Sequence, residues 1–347
     1  VSSDDQIFRA DSYDMTGTNP HFLASAKDIT FAASTLANGD AGDITLSDSA
    51  NLTIDTGSGE VGNISISDTI TNAAGDGTQA TDVTIVAGSG TVGIAAISGD
   101  INDVAITTTG NITLSGDITT AKDTDDTATG NSAHGDVTIT GPVLLAADIT
   151  IDTDSTGNDG DVTLTSTVLS STNGGEKDLT ITSGSGPVNI GGTIGGTDLR
   201  QLGALTINST AGSGTIEVAD IGVSNTNAGV DGDVTIGNAA TTTITLDGAL
   251  YSVGDLADHD LLVKSASGEN IQFTKGAAVE VITVAGGDIT FNNGSDAGSI
   301  YLAASTPLTI NSKGGAIDIA SVYGVATGDN NLTINANTSG AATDSDG

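Results

Sequence analysis

The chain has no cysteine and no tryptophan, and only 4 prolines, 1 methionine and 9 aromatic residues (5 Phe, 4 Tyr) in 347 positions. Without cysteine there is no disulfide framework, no thiolate metal ligand and no thiol nucleophile. Basic residues are scarce as well, with 8 Lys and Arg against 44 Asp and Glu, a formal net charge of -36. That balance excludes nucleic-acid binding, which needs clustered Lys and Arg against phosphates, and disfavours anionic lipid surfaces. No apolar run approaches the roughly 18 residues of a membrane helix, so no membrane insertion is expected. The sequence opens at Val1 with no basic-plus-apolar leader, which reads as a mature product or an excised piece.

What is present is aspartate, glycine and branched aliphatics. Only 5 acids are Glu (Glu60, Glu176, Glu217, Glu269, Glu280), leaving 39 Asp, and Gly adds 48. Asp, Asn and Gly favour turns and disfavour helix interiors, so the composition argues against an α-helical fold. Low aromatic content and high charge suggest disorder. The hydrophobic fraction is 37%, however, and the aliphatics are spread evenly and patterned.

That pattern is a four-residue unit: Asp or Asn, an aliphatic, Thr or Ser, then another aliphatic or Phe. It begins at Asp28, Asp43, Asn51, Asn63, Asp82, Asn111, Asp136, Asp148, Asp161, Asp178, Asp233, Asp288 and Asn331. Copies with another first residue begin at Ala204, Thr243, Val281 and Pro307, making 17 in all. A period of two puts both aliphatics on one face of a short strand and Thr on the other. Gly-Ser-Gly corners such as Gly57-Ser58-Gly59 and Gly88-Ser89-Gly90 separate the units. Short strands with tight corners, at about 20 to 27 residues per turn, predict an all-β parallel β-helix, or β-solenoid. About 13 coils are expected over residues 28–336, with two or three strands per coil and loops of variable length at one corner.

Residues 1–27 break the pattern. Residues 1–31 hold Phe8, Tyr13, Phe22, Phe31, Met15, Arg9, Pro20 and His21. A solenoid needs its end covered, so residues 1–27 are read as a cap or an inter-subunit junction. Residues 337–347 carry no apolar anchor beyond alanine and are read as a flexible tail or truncation point. Tyr251, Phe273, Phe291, Tyr301 and Tyr323 are dispersed and read as core or stacking residues.

Catalytic material is thin, and no catalytic residue is singled out. His21, His134 and His259 are far apart in sequence, and no nucleophile elbow, P-loop or H-E-x-x-H is present. Most Asp are expected to cap turns and strand starts. Two segments are dense in hard oxygen ligands: Asp123, Asp125 and Asp126, and then Asp152, Asp154, Asp159 and Asp161. Asp at alternate loop positions suits Ca²⁺, which takes six to eight oxygens. Neither segment matches an EF-hand, so Ca²⁺ is an optional ligand and no cofactor is required. The sequons at Asn51, Asn63, Asn111 and Asn331 fall inside the repeat and are explained by it.

The run Asp136-Val-Thr-Ile-Thr, Asp148-Ile-Thr-Ile-Asp, Gly160-Asp-Val-Thr-Leu-Thr and Asp178-Leu-Thr-Ile-Thr resembles the β-strand repeats of giant bacterial surface proteins of the filamentous-haemagglutinin-like class. The resemblance spans about residues 28–336. It implies a right-handed parallel β-helix at the cell surface, engaged in adhesion or fibre building rather than catalysis. No secretion domain or C-terminal anchor accompanies it. The leading expectation is therefore a non-catalytic extracellular structural protein, a rigid acidic solenoid in a fibre, filament or adhesin. Its partners would be copies of itself end to end, or further turns of a longer chain. A glycan-binding adhesive module and a carbohydrate-active β-helix enzyme are the alternatives.

Overall fold

The computed structural model describes residues 4–10, 12–15, 19–33, 43–47, 50–72, 81–120, 135–154, 159–171, 175–196, 200–208, 210, 212–292, 299–325 and 330–336. They form an all-β parallel β-solenoid, with no helix among the described residues. The chain divides into two compact units. One is Val1–Thr167 with Ile181–Val188; the other is Val168–Thr180 with Asn189–Gly347.

In the first unit each turn presents three faces, and equivalent residues stack in register. One face aligns Phe8, Phe31, Ile66, Ile94, Leu114 and Leu145. A second aligns Tyr13, Ile44, Ile70, Ile97, Ile118 and Ile151. The third aligns Phe22, Ile54, Ile85, Ile106, Ile139 and Leu164. In the second unit the columns are Leu205, Val234, Leu261, Ile289 and Ile317; Ile216, Ile244, Ile271, Ile300 and Val322; and Tyr251, Val281, Ile310 and Ile334.

The repeat explains these columns directly. In Val137–Thr140 the burial alternates, Val137 and Ile139 inside, Thr138 and Thr140 exposed. β-Branched side chains fit the pleat, and each buried aliphatic contributes about 2 kcal/mol by leaving water. One copy departs from the expected phase. In Val279–Thr283 both Ile282 and Thr283 are buried, because the strand runs into a corner. The Thr283 hydroxyl donates there to the carbonyl oxygens of Gly287 (2.7 Å) and Ser312 (3.0 Å).

Among the described residues the columns count six rungs in the first unit and five in the second, against about 13 coils expected. Turn length varies. Register partners Val234, Leu261, Ile289 and Ile317 are separated by 27, 28 and 28 positions. Ile29 to Ile64 takes 35 and Val92 to Ile112 only 20.

Corners depend on glycine and on buried hydroxyls. Gly88 has φ +49°, and a Cβ on Gly90 would lie 2.0 Å from the Gly62 carbonyl oxygen. Backbone thus stacks on backbone from turn to turn, where no side chain fits. The hydroxyls of Thr56, Thr120, Thr153 and Ser183 each donate to the carbonyl of a loop glycine, at 2.9, 2.6, 2.7 and 2.7 Å. These bonds account for polar residues facing the interior.

Residues 6–10, 12–15 and 21–23 lie within the segment expected as a cap, and they are laddered onto the strands that follow. Its aromatics pack as a cluster. Phe8 stacks on Phe31 at 4.9 Å, while Phe22 and Tyr13 meet Phe31 edge-on at 5.0 and 5.4 Å. Tyr251, Phe273 and Phe291 are buried as expected of core residues, and the Tyr251 hydroxyl donates to Val218 O at 3.1 Å. Tyr323 differs, being 58% exposed. The expected tail, 337–347, lies outside the described residues.

The column structure predicts sharply unequal effects for neighbouring substitutions. Ile139→Ala should lower the unfolding free energy by about 2–5 kcal/mol, and Thr138→Ala should change it by less than about 0.5 kcal/mol. Gly90→Ala should cost about 1–3 kcal/mol through the backbone clash. Urea titration followed by circular dichroism measures all three.

Candidate functional site: aspartate columns and a buried aspartate

The first residue of the repeat has a defined task. Its side-chain oxygen accepts the backbone N–H at the equivalent corner of the next turn. In the first unit Asn51 Oδ1 accepts from Asp82 N (2.9 Å), Asp103 Oδ1 from Asp136 N (2.9 Å), and Asp136 Oδ1 from Asp161 N (2.8 Å). Asp28 Oδ1 accepts from Asn63 N at 2.7 Å, and Asn63 Oδ1 from Thr91 N at 2.8 Å. In the second unit Asp233 Oδ1 takes Asp260 N (2.9 Å), Asp260 Oδ1 takes Asp288 N (2.8 Å), and Asp288 Oδ1 takes Ala316 N (2.7 Å). Asp and Asn interchange because both place an acceptor oxygen at the same reach. The capping expected from the sequence is therefore a bond between turns.

The expected Ca²⁺ ligands fare unequally. Asp123, Asp125 and Asp126 lie outside the described residues. Asp161 sits in the corner column, its N–H held by Asp136. Asp152 Oδ1 accepts Asp154 N at 3.0 Å, and Asp159 Oδ2 accepts both N and Oγ of Ser185 at 2.6 and 2.7 Å. Asp154 and Asp159 converge over Gly184, where a Cβ would lie 2.8 Å from Asp154 Oδ1 and 2.4 Å from Asp159 Oδ2. Partial burial, then the charges of Asp159 and Asp152, push the Asp154 carboxyl above its ordinary pKa. Among the described residues no group of three His, Asp or Glu is placed to hold a metal ion.

A second carboxyl cluster lies in the other unit and has no signature in the sequence. Asp231 is only 5% exposed, and its Oδ1 is buried without a hydrogen-bond partner. Its backbone N–H donates to Leu202 O at 2.8 Å, and its carbonyl accepts Asp255 N at 3.0 Å. His259 Nδ1 lies 2.5 Å from that same carbonyl and 3.3 Å from Asp255 Oδ1. A carbonyl oxygen only accepts, so His259 carries its proton on Nδ1. Burial, a side-chain hydrogen bond with Glu176, and the charges of Asp255 and Glu176 raise the Asp231 pKa to about 7, with His259 opposing. The groups come together because Asp231 and His259 are 28 positions apart, about one turn. Of the other two histidines, His21 is exposed on a strand and His134 lies outside the described residues.

The first unit also has a shallow groove of about 200 Å³ across successive corners, lined by Ser58, Val86, Ser89, Thr107, Thr109 and Thr140 among others. Among the described residues its lining is hydroxyls, methyl groups and backbone, with no charged side chain.

No known family, curated protein or solved structure matches the chain in comparisons of sequence and fold. The parallel β-solenoid is what the structure shows, and these comparisons give no support to a filamentous-haemagglutinin-like identity.

The corner columns predict a separation of charge from hydrogen bonding. Asp136→Ala should destabilise by about 1–2 kcal/mol, because the Asp161 N–H loses its acceptor. Asp136→Asn keeps an acceptor and should stay within about 0.5 kcal/mol of the parent. Thermal melts of the two variants in matched buffer test this.

Proposed function

We propose that this chain is a non-catalytic structural segment of an extracellular fibre, filament or adhesin. The observation that carries the reading is the state of the last laddered strands. Leu332 and Ile334 are 37% and 49% exposed, although in sequence they match copies of the repeat that are buried elsewhere. An apolar rung of this kind gains stability when a further turn covers it, whether from this chain or from a second copy. The -36 charge keeps such segments soluble and apart laterally, which favours contact along the ladder direction.

A glycan-binding adhesive module is the second reading, and the groove at Thr107–Thr109 favours it. An uncharged, hydroxyl-lined groove on so acidic a chain suits a neutral saccharide better than an ionic ligand. The carbohydrate-active enzyme reading requires two carboxyls facing such a groove. Among the described residues the groove lining has none, and Asp231 is buried elsewhere.

The structural reading predicts concentration-dependent end-to-end association. Light scattering after gel filtration should show a mass that rises with concentration, and electron microscopy should show filaments. Leu332→Lys with Ile334→Lys should abolish both while leaving the circular dichroism spectrum unchanged. Monodisperse monomers of the parent chain at millimolar concentration would refute self-association, and binding of neutral saccharides would then favour the adhesive module.

A further inference from the structure

The two ends of the ladder identify a partner surface for the proposed fibre, and this inference rests on that reading. At the corner before a strand, successive circuits of the first unit exchange two hydrogen bonds. Gln6 N donates to Asp28 O and Ile29 N to Asn63 O, both at 2.8 Å. In the opposite direction Asp28 N donates to Asp5 Oδ1 (3.2 Å) and Asn63 N to Asp28 Oδ1 (2.7 Å). The second unit repeats the backbone bond, with Leu308 N donating to Asn331 O at 2.8 Å.

At each end this exchange is half filled. Leu332–Asn335 pairs only with Leu308–Asn311. The Leu332 N–H, equivalent to those of Ile29 and Leu308, therefore has no following circuit to donate to. Asn331 opens a copy of the repeat as Asp28 does, yet among the described residues its Oδ1 accepts no N–H. Asp5 has the opposite lack. Among the described residues neither its N–H nor its carbonyl oxygen is bonded. One end thus offers a donor and an acceptor, and the other offers an acceptor and a donor at the same corner position. The apolar surfaces correspond as well. Leu332, Ile334 and Tyr323 are exposed at the last rungs. Phe8, Tyr13 and Phe22 face inward at the first rung but are only half-buried, whereas Phe31 one circuit later is buried.

We propose that Leu332–Asn335 of one copy stacks parallel and in register on Gln6–Ala10 of a second copy. Leu332 then meets Gln6 and Ile334 meets Phe8, as Leu308 meets Leu332 and Phe8 meets Phe31 within the chain. The Leu332 N–H donates to the Asp5 carbonyl, and the Asp5 N–H donates to Asn331 Oδ1. Such a contact is heterologous and leaves a free end at each side, so it propagates into filaments. A contact between two Leu332–Asn335 rungs would be isologous and stop at a dimer. It would also leave Asp5 unpaired.

The chain has no cysteine, so single introduced cysteines report the junction alone. Stacked residues about 4.8 Å apart are within reach of a disulfide. Gln6→Cys and Leu332→Cys chains, mixed and oxidised, should crosslink to each other. Either alone should crosslink no more than Thr138→Cys, an exposed position away from both ends. Asp5→Pro removes the N–H and Asn331→Ala the acceptor. Each should weaken association by about two- to tenfold with an unchanged circular dichroism spectrum. Because the two act on one bond, the double variant should be no weaker than the weaker single. Disulfide dimers of Leu332→Cys alone would show the isologous contact and overturn the proposal. Filaments without the mixed crosslink, or additive effects of the two substitutions, would overturn it while leaving the fibre reading in place. Absence of any association at millimolar concentration would remove both.

Discussion

Everything in this molecule rests on the parallel stacking of identical backbone corners and aliphatic columns at the strand spacing of about 4.8 Å. Once a turn is laid in register on the one before it, Ile falls on Ile and Thr on Thr. A one-residue slip would turn every aliphatic outward, so the columns lock the register by their own burial. The cost is that corners must tolerate the same close spacing. Glycine meets that need where carbonyls approach, as at Gly88 and Gly90. Buried Thr and Ser hydroxyls close the loops that follow, as at Thr153 with Gly160.

The fold was legible because its signal is local and repeated. The alternation in units such as Asp136-Val-Thr-Ile declares a strand, its dry face and its wet face without reference to anything distant. The number of turns was less legible. It depends on how many strands make one circuit, and circuits range from the 20 positions between Val92 and Ile112 to the 35 between Ile29 and Ile64. The copy at Val281 shows a further limit. Its Thr283 faces inward because a corner glycine offers a carbonyl there, which four residues of pattern do not reveal.

Sites were harder to read than strands for the same reason. Asp at the start of each unit was recognisable as a capping residue, but its acceptor role reaches the next circuit. Glu176, Asp231, Asp255 and His259 share no motif. Only the circuit length of about 28 positions brings His259 over Asp231, so an offset search at that period is the signal that finds the pair. Density of acids proved a poor guide. Asp161 belongs to a corner column although it stands beside Asp159 in a segment rich in oxygen ligands.

The corner columns have an electrical consequence. Asp103, Asp136 and Asp161 in one unit, and Asp233, Asp260 and Asp288 in the other, place one negative group per rung, about 4.8 Å apart. A line charge of that density behaves like a strand of polyphosphate in solution and gathers a sheath of mobile counterions. Each edge is then a small polyelectrolyte fixed to an acidic scaffold. Its effective charge is set by the ionic medium as much as by the number of aspartates.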